Sequence, residues 1–133
     1  MPKRASEAAE TNMRLLIPTI LAFCLAALNG TAFAHHGWSW TTGGNIELIG
    51  VIKTVRLGNP HGVLEVDAEG EVWTVEVGQP WRNEQAGLKD GDLAEGVEIR
   101  AIGEPSADPS EMRMKAERLF LGEREYILYP NRN

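Results

Sequence analysis

Residues 63–77 read VLEVDAEGEVWTVEV, two runs of alternating side chains around Ala68-Glu69-Gly70. A period of two marks a strand with one face on a core, and the glycine supplies the left-handed backbone conformation that a tight connection needs. The stretch predicts a β-hairpin with strands over 63–67 and 71–77. In the second strand Val72, Thr74 and Glu76 share one face and Trp73, Val75 and Val77 the other. The Trp73 face is expected to point inward.

A hairpin of this kind needs further strands to close a core, and the flanking sequence offers them. Residues 46–57 (IELIGVIKTVRL) are rich in β-branched residues, with apolar side chains at Ile46, Leu48, Ile52 and Val55. They read as one long strand in which Gly50 permits a bend or bulge. Gly58-Asn59-Pro60 breaks it. Pro80 stands where a first helical position would be and Gly87 where a C-terminal cap would be, so 80–87 reads as a short helix. Residues 96–103 resume the period of two, 104–110 form a Pro/Asp/Ser loop and 112–120 a further strand; Gly122-Glu123 then turns the chain into 126–129. Three strands, a short helix, then two or three strands is the order of an all-β, five- to six-stranded Greek-key barrel of the oligonucleotide/oligosaccharide-binding (OB) type. A small β-sandwich is the alternative.

Ahead of this body, residues 13–34 (MRLLIPTILAFCLAALNGTAFA) carry Arg14, then an almost wholly apolar run, then Ala32-Phe33-Ala34. That is the pattern of a secretory signal peptide cut between Ala34 and His35. The apolar run is shorter than the roughly 20 residues of a spanning helix and contains Pro18, which argues against a membrane anchor. Cys24 follows Phe23 rather than the small residue a lipidated cysteine requires. Glu7 and Glu10 are unusual upstream of a leader, so Met13 reads as the natural start and residues 1–12 as an over-extended one. The expected product is a single periplasmic or secreted domain, 35–133, of 99 residues without cysteine. It holds 10 basic and 17 acidic residues, a formal net charge of −7. That balance argues against nucleic acid and anionic membrane surfaces as partners and suits a metal ion or a neutral envelope protein.

A leader followed by His35-His36, a long strand ending in Asn59-Pro60-His61, then Trp73-x-x-Glu76, Pro80, Gly87, Leu93-x-x-Gly96 and Gly103 resembles the small secreted bacterial proteins of domain-of-unknown-function family 6152. Members typically begin the mature chain with His-His-Ser-Phe and carry Trp-x-Asn-Pro-His. Here Gly37 and Trp38 replace Ser-Phe, Leu57 replaces the tryptophan, and Val97 follows Gly96 where aspartate is common. The acidic-aromatic-acidic stretch of many members is absent at Trp40-Thr41-Thr42. The resemblance implies location and fold, and no activity.

The chemistry must come from the histidines. Cleavage before His35 would give it a free amine beside its own imidazole, two nitrogens able to chelate one metal ion. An imidazole from elsewhere completes a three-nitrogen histidine brace, an arrangement that suits Cu(II). His61, fixed by Asn59-Pro60, is the candidate for that ligand. His36 offers another mode through the amine and the intervening amide. Glu76, between two valines, is the carboxylate expected as an extra ligand or second-shell partner, with Asn59 beside it. Each reading has a plainer counterpart: the histidine pair as a solvated terminus, Asn59-Pro60-His61 as a simple turn, Glu65, Glu69, Glu71, Glu95 and Glu98 as a solvated face. Trp38, Trp40 and Trp81 read either as core or as a ligand or partner surface.

Three classes follow: a copper-binding protein acting through His35, His36 and His61; a non-metal interaction module on an OB barrel; and a copper-dependent oxidative enzyme. The enzyme ranks last, because the sequence has no nucleophile triad, no paired acid/base signature and no phosphate-cradling glycine loop.

Overall fold

The computed structural model describes residues 37–132. The expected leader and its expected cleavage point, with His35 and His36, lie outside the described residues. Six strands form in chain order: β1 (Ile46–Arg56), β2 (Val63–Ala68), β3 (Glu71–Glu76), β4 (Glu98–Pro105), β5 (Arg113–Leu121) and β6 (Arg124–Ile127). One short helix, α1 (Pro80–Gln85), joins β3 to β4, and a 3-10 turn covers Pro130–Arg132.

The sheet order is β3-β2-β1-β4-β5-β6, and β5 also pairs in parallel with β3. That second pairing closes five strands into a barrel and leaves β6 as an extra strand on its side, so the barrel expectation holds over the sandwich. The predicted hairpin forms in register, with Val66 opposite Trp73 and Ala68 opposite Glu71. Its turn sets both Glu69 (φ 55°) and Gly70 (φ 87°) left-handed, the primed geometry whose twist matches paired strands. The Asp67 carboxylate accepts a hydrogen bond from the Gly70 N–H at 3.0 Å.

β1 is long enough to serve two neighbours. Ile46 to Val51 pairs with β4, and Val51 to Arg56 pairs with β2. The expected irregularity lies between Ile52 and Thr54, two residues past Gly50. Gly50 itself marks where β2 crosses closely: a Cβ there would stand 2.4 Å from the Asp67 carbonyl oxygen.

The core is built from the inward positions of every strand. Ile52, Leu64, Val66, Val75, Val77, Ala101, Met114, Ala116 and Leu119 are fully buried. Leu88 and Leu93, from the connection after α1, join them, as do Tyr126 and Leu128. The inward face of β3 is the predicted one, with Trp73 half-buried against the core beside Val75. Pro80 is the first helical residue, α1 stops at Gln85, and Gly87 follows with φ 99°.

Two boundaries differ from expectation. The last strand runs 124–127 rather than 126–129, because Leu128 and Tyr129 donate their N–H groups to the Glu117 carbonyl instead of continuing a ladder. Glu104, placed in a loop by its neighbouring proline, is inside β4 and buried. Pro105 ends that strand, where a missing N–H costs the ladder least. Among the described residues no helix is long and apolar enough to cross a membrane.

Candidate functional site

The seam that closes the barrel puts unlike side chains next to one another. Glu76 of β3 is the register partner of Lys115 of β5, and Lys115 is also the partner of Glu104 of β4. All three point away from the core face defined by Val75, Met114 and Ala116. Glu117 follows on β5 as the extra residue of an irregularity between Ile102 and Gly103. An outward strip of Glu76, Lys115, Glu104 and Glu117 would ordinarily be solvated. Here every one of the four is buried.

Two segments cover it. One is an amino-terminal strap, residues 37–45, laid along β4: Thr41 bridges to Ser106, the Thr42 N–H donates to the Pro105 carbonyl at 3.1 Å, and the Ala107 N–H donates to that of Trp40 at 2.8 Å. The other is the 3-10 turn at Pro130–Arg132. Arg132 locks both to the strip. It donates to Glu104 at 2.5 Å, lies 3.4 Å from a Glu117 oxygen, and stacks 3.8 Å above the Trp38 ring. Asn45 donates to the other Glu117 oxygen at 2.9 Å.

Burial raises the Glu104 carboxyl, but hydrogen bonds from Thr41 and Arg132, the Arg132 charge and the Gly43 N–H outweigh it, so its pKa falls below the ordinary carboxylate value. A carboxylate with a depressed folded pKa contributes stability that is present above the unfolded value and is lost as pH falls through the folded one. The denaturation midpoint should therefore fall on acidification below about pH 4.3, the reference carboxylate value. Glu104→Gln should flatten that fall and destabilise the protein at pH 7 by about 2 kcal/mol, the scale of a buried charged group left with an unpaired partner. Urea denaturation at several pH values measures both.

Lys115 is the centre of the arrangement. It is 5% exposed, and its Nζ donates to the Gly37 carbonyl at 2.7 Å. Burial lowers its pKa, the Glu76 carboxylate opposes that, and Arg113, Arg132 and Arg82 add to the lowering. Trp38 and Tyr129 meet edge to face at 5.0 Å, and Lys115 Nζ lies 4.8 Å from the first ring and 5.8 Å from the second.

Beyond Lys115 the strip reaches a histidine. Glu76 Oε2 lies 4.0 Å from Lys115 Nζ and 3.3 Å from His61 Nε2, while its other oxygen accepts from Arg113. The His61 side chain is 29% exposed, so the imidazole has one edge on a buried carboxylate and another toward solvent. Arg113 in turn stacks 3.9 Å above Trp40.

The sequence-derived candidates thus divide. His61 and Glu76 come together. Asn59 is exposed on the approach to the cis Asn59–Pro60 bond. Trp38 and Trp40 are half-buried in the strap, outside the core. Trp81 is 53% exposed, with Arg82 held between its ring at 4.5 Å and that of Tyr129 at 4.4 Å. Glu65, Glu69, Glu71, Glu95 and Glu98 form the expected solvated set. Among the described residues no group of three or more His, Cys, Asp or Glu side chains is gathered to hold a metal ion. Sequence reasoning missed Glu104, Arg113, Lys115, Glu117 and Arg132. The strict charged-apolar alternation of Arg113-Met114-Lys115-Ala116-Glu117 was the available signal.

No curated protein sequence matches this chain. One similar solved structure is the ZRD-deleted mutant of TiaS in complex with agmatine, at 14% identity and a TM-score of 0.47. The match covers 63% of this chain and 26% of that one, so the chain spans about a quarter of that protein. Residues 22–114 match the family of unknown function DUF6152, and the chain belongs to that family.

Proposed function

We propose that the protein is a small periplasmic or secreted metal-binding protein, with copper the favoured ion, whose ligands are the amine and imidazole of His35 after leader cleavage and the imidazole of His61. His36 is the alternative donor beside the new amino terminus. The observation that carries the reading is the seating of His61: one ring nitrogen 3.3 Å from the buried Glu76 carboxylate, on a ring that is partly exposed. A carboxylate behind an imidazole orients the ring and strengthens the opposite nitrogen as a ligand. The donor set fits a borderline ion that prefers nitrogen, and a mature chain without cysteine offers no thiolate.

The test uses the full chain expressed with its own leader, recovered after cleavage, its amino terminus sequenced. Cu(II) titration should show sub-micromolar binding that His35→Ala abolishes. A chain that begins at His35 and binds no copper overturns the reading. The second reading, an interaction module without metal, is favoured by exposed Trp81 beside Arg82. It expects Trp81→Ala to abolish recovery of an envelope protein while copper affinity stays unchanged.

A further inference from the structure

We infer that the cavity between α1 and the turn at Pro130–Arg132 is a binding site for a carboxylate with an apolar body, held by the Arg82 guanidinium. The site is separate from the metal reading above, since neither His61 nor Glu76 lines this cavity.

Arg82 is a cation that no acid answers. The buried carboxylates of the outer strip are matched by other cations: Glu76 by Arg113 and Lys115, and Glu104 and Glu117 by Arg132. Among the described residues no carboxylate pairs with Arg82, although the chain holds 19 acidic residues against 13 basic ones. Its one hydrogen bond among them runs from Nη1 to the neutral Leu128 carbonyl at 3.2 Å, and its Nε is buried without a partner. A guanidinium has five N–H donors, so a half-buried one with a single carbonyl is under-satisfied. The Trp81 and Tyr129 rings lie 4.5 and 4.4 Å from it. Ring contacts use the faces of the cation and hold it in one orientation, which leaves its N–H edge for an oxyanion.

Arg82 lines a cavity of about 530 Å³, a size usual for small-molecule sites. No Asp or Glu lines it. Ala86, Ile127 and Pro130 supply apolar wall, and the exposed Gln85 and Asn131 supply amides at its rim. Arg132 lines it too, with its charge already answered by Glu104 and Glu117. One unanswered positive charge beside apolar wall matches one negative charge on an apolar body. A phosphate dianion would call for a second free cation, which the cavity lacks. The carboxylate can belong to a small free acid or to the end of a peptide, and the chemistry of recognition is the same.

The test is an NMR titration of the full chain, expressed with its own leader and free of metal, with hexanoate, with hexanamide, and with a short apolar peptide carrying either a free or an amidated carboxyl terminus. Hexanoate or the free-ended peptide should shift the Trp81 indole, Arg82 Nε–H and Asn131 signals with a dissociation constant of about 1 mM or below. The uncharged twins should bind at least tenfold more weakly, the scale of one hydrogen bond to a charged group. Arg82→Gln should cost the same factor. Gln85→Glu leaves Arg82 and its Leu128 contact in place and puts an acid at the rim, so it should weaken binding as much even if Arg82→Gln fails to fold. Tighter binding of hexanoate assigns the site to small acids, and tighter binding of the peptide assigns it to chain ends. No shift with either carboxylate up to about 10 mM, or equal binding of the amides, overturns the site. Undiminished binding in a folded Gln85→Glu protein overturns it as well.

Discussion

Gly103→Ala should destabilise the protein by at least about 3 kcal/mol, the upper range for forcing atoms into a packed interior. For a domain of this size that is a fall in melting temperature of roughly 15 °C. A Cβ at Gly103 would stand 2.0 Å from the Lys115 carbonyl oxygen and 2.8 Å from the Ala116 Cα. Both are backbone atoms, so no side chain can swing away, and the β4–β5 ladder must part where its register shifts between Ile102 and Gly103. The same displacement would move Lys115 and Glu117, which lie on either side of Ala116. Gly58→Ala is the control. Nothing lies within 4 Å of a Cβ there, and its effect should stay within about 0.5 kcal/mol. Equal stability of the two variants would mean that β4 and β5 do not approach as described.

The second large effect is on binding. His61→Ala in the cleaved protein should weaken Cu(II) by about 100-fold, roughly 2.7 kcal/mol, with little change in unfolding, because the side chain is 29% exposed and lies outside the core. Glu76→Gln should weaken copper less than His61→Ala and destabilise the fold more. Glu76 is buried against Arg113 and Lys115 as well as His61, and removing one partner of a buried ionic group exposes the cost of the others. The ordering of the two variants on the two scales separates a ligand from the group behind it. Isothermal titration for copper and urea denaturation for stability would read it.

How much of this was legible in the sequence depends on distance along the chain. The hairpin at Glu69-Gly70, the long β1 and the proline-initiated α1 follow from local rules, and each appears within a residue or two of its expected place. The Glu76–His61 pair was legible in part, since Asn59-Pro60-His61 and Val75-Glu76-Val77 drew notice for their own chemistry. What placed them together was β2 pairing with β3, with Val63 opposite Glu76, and that followed once the hairpin was granted. The Lys115 strip was not legible. The sequence places Glu104 in a loop and assigns no face to Lys115 or Glu117, and their burial on the outer face comes from a strap of residues 37–45 and the turn at Pro130–Arg132 that cover it. Nothing in a period-two pattern announces a cover supplied by segments before the first strand and after the last. Trp38, which the sequence leaves open between core and surface, is half-buried under cations on the outside of the barrel.

The most direct test of the central claim compares the chain beginning at His35 with one carrying a single alanine ahead of it, both titrated with Cu(II) and followed by spin resonance. The extension leaves every side chain in place and removes only the free amine from His35. The account expects sub-micromolar binding with three nitrogen ligands in the first protein, and at least tenfold weaker binding with one nitrogen lost in the second. Equal affinities and identical spectra would contradict it.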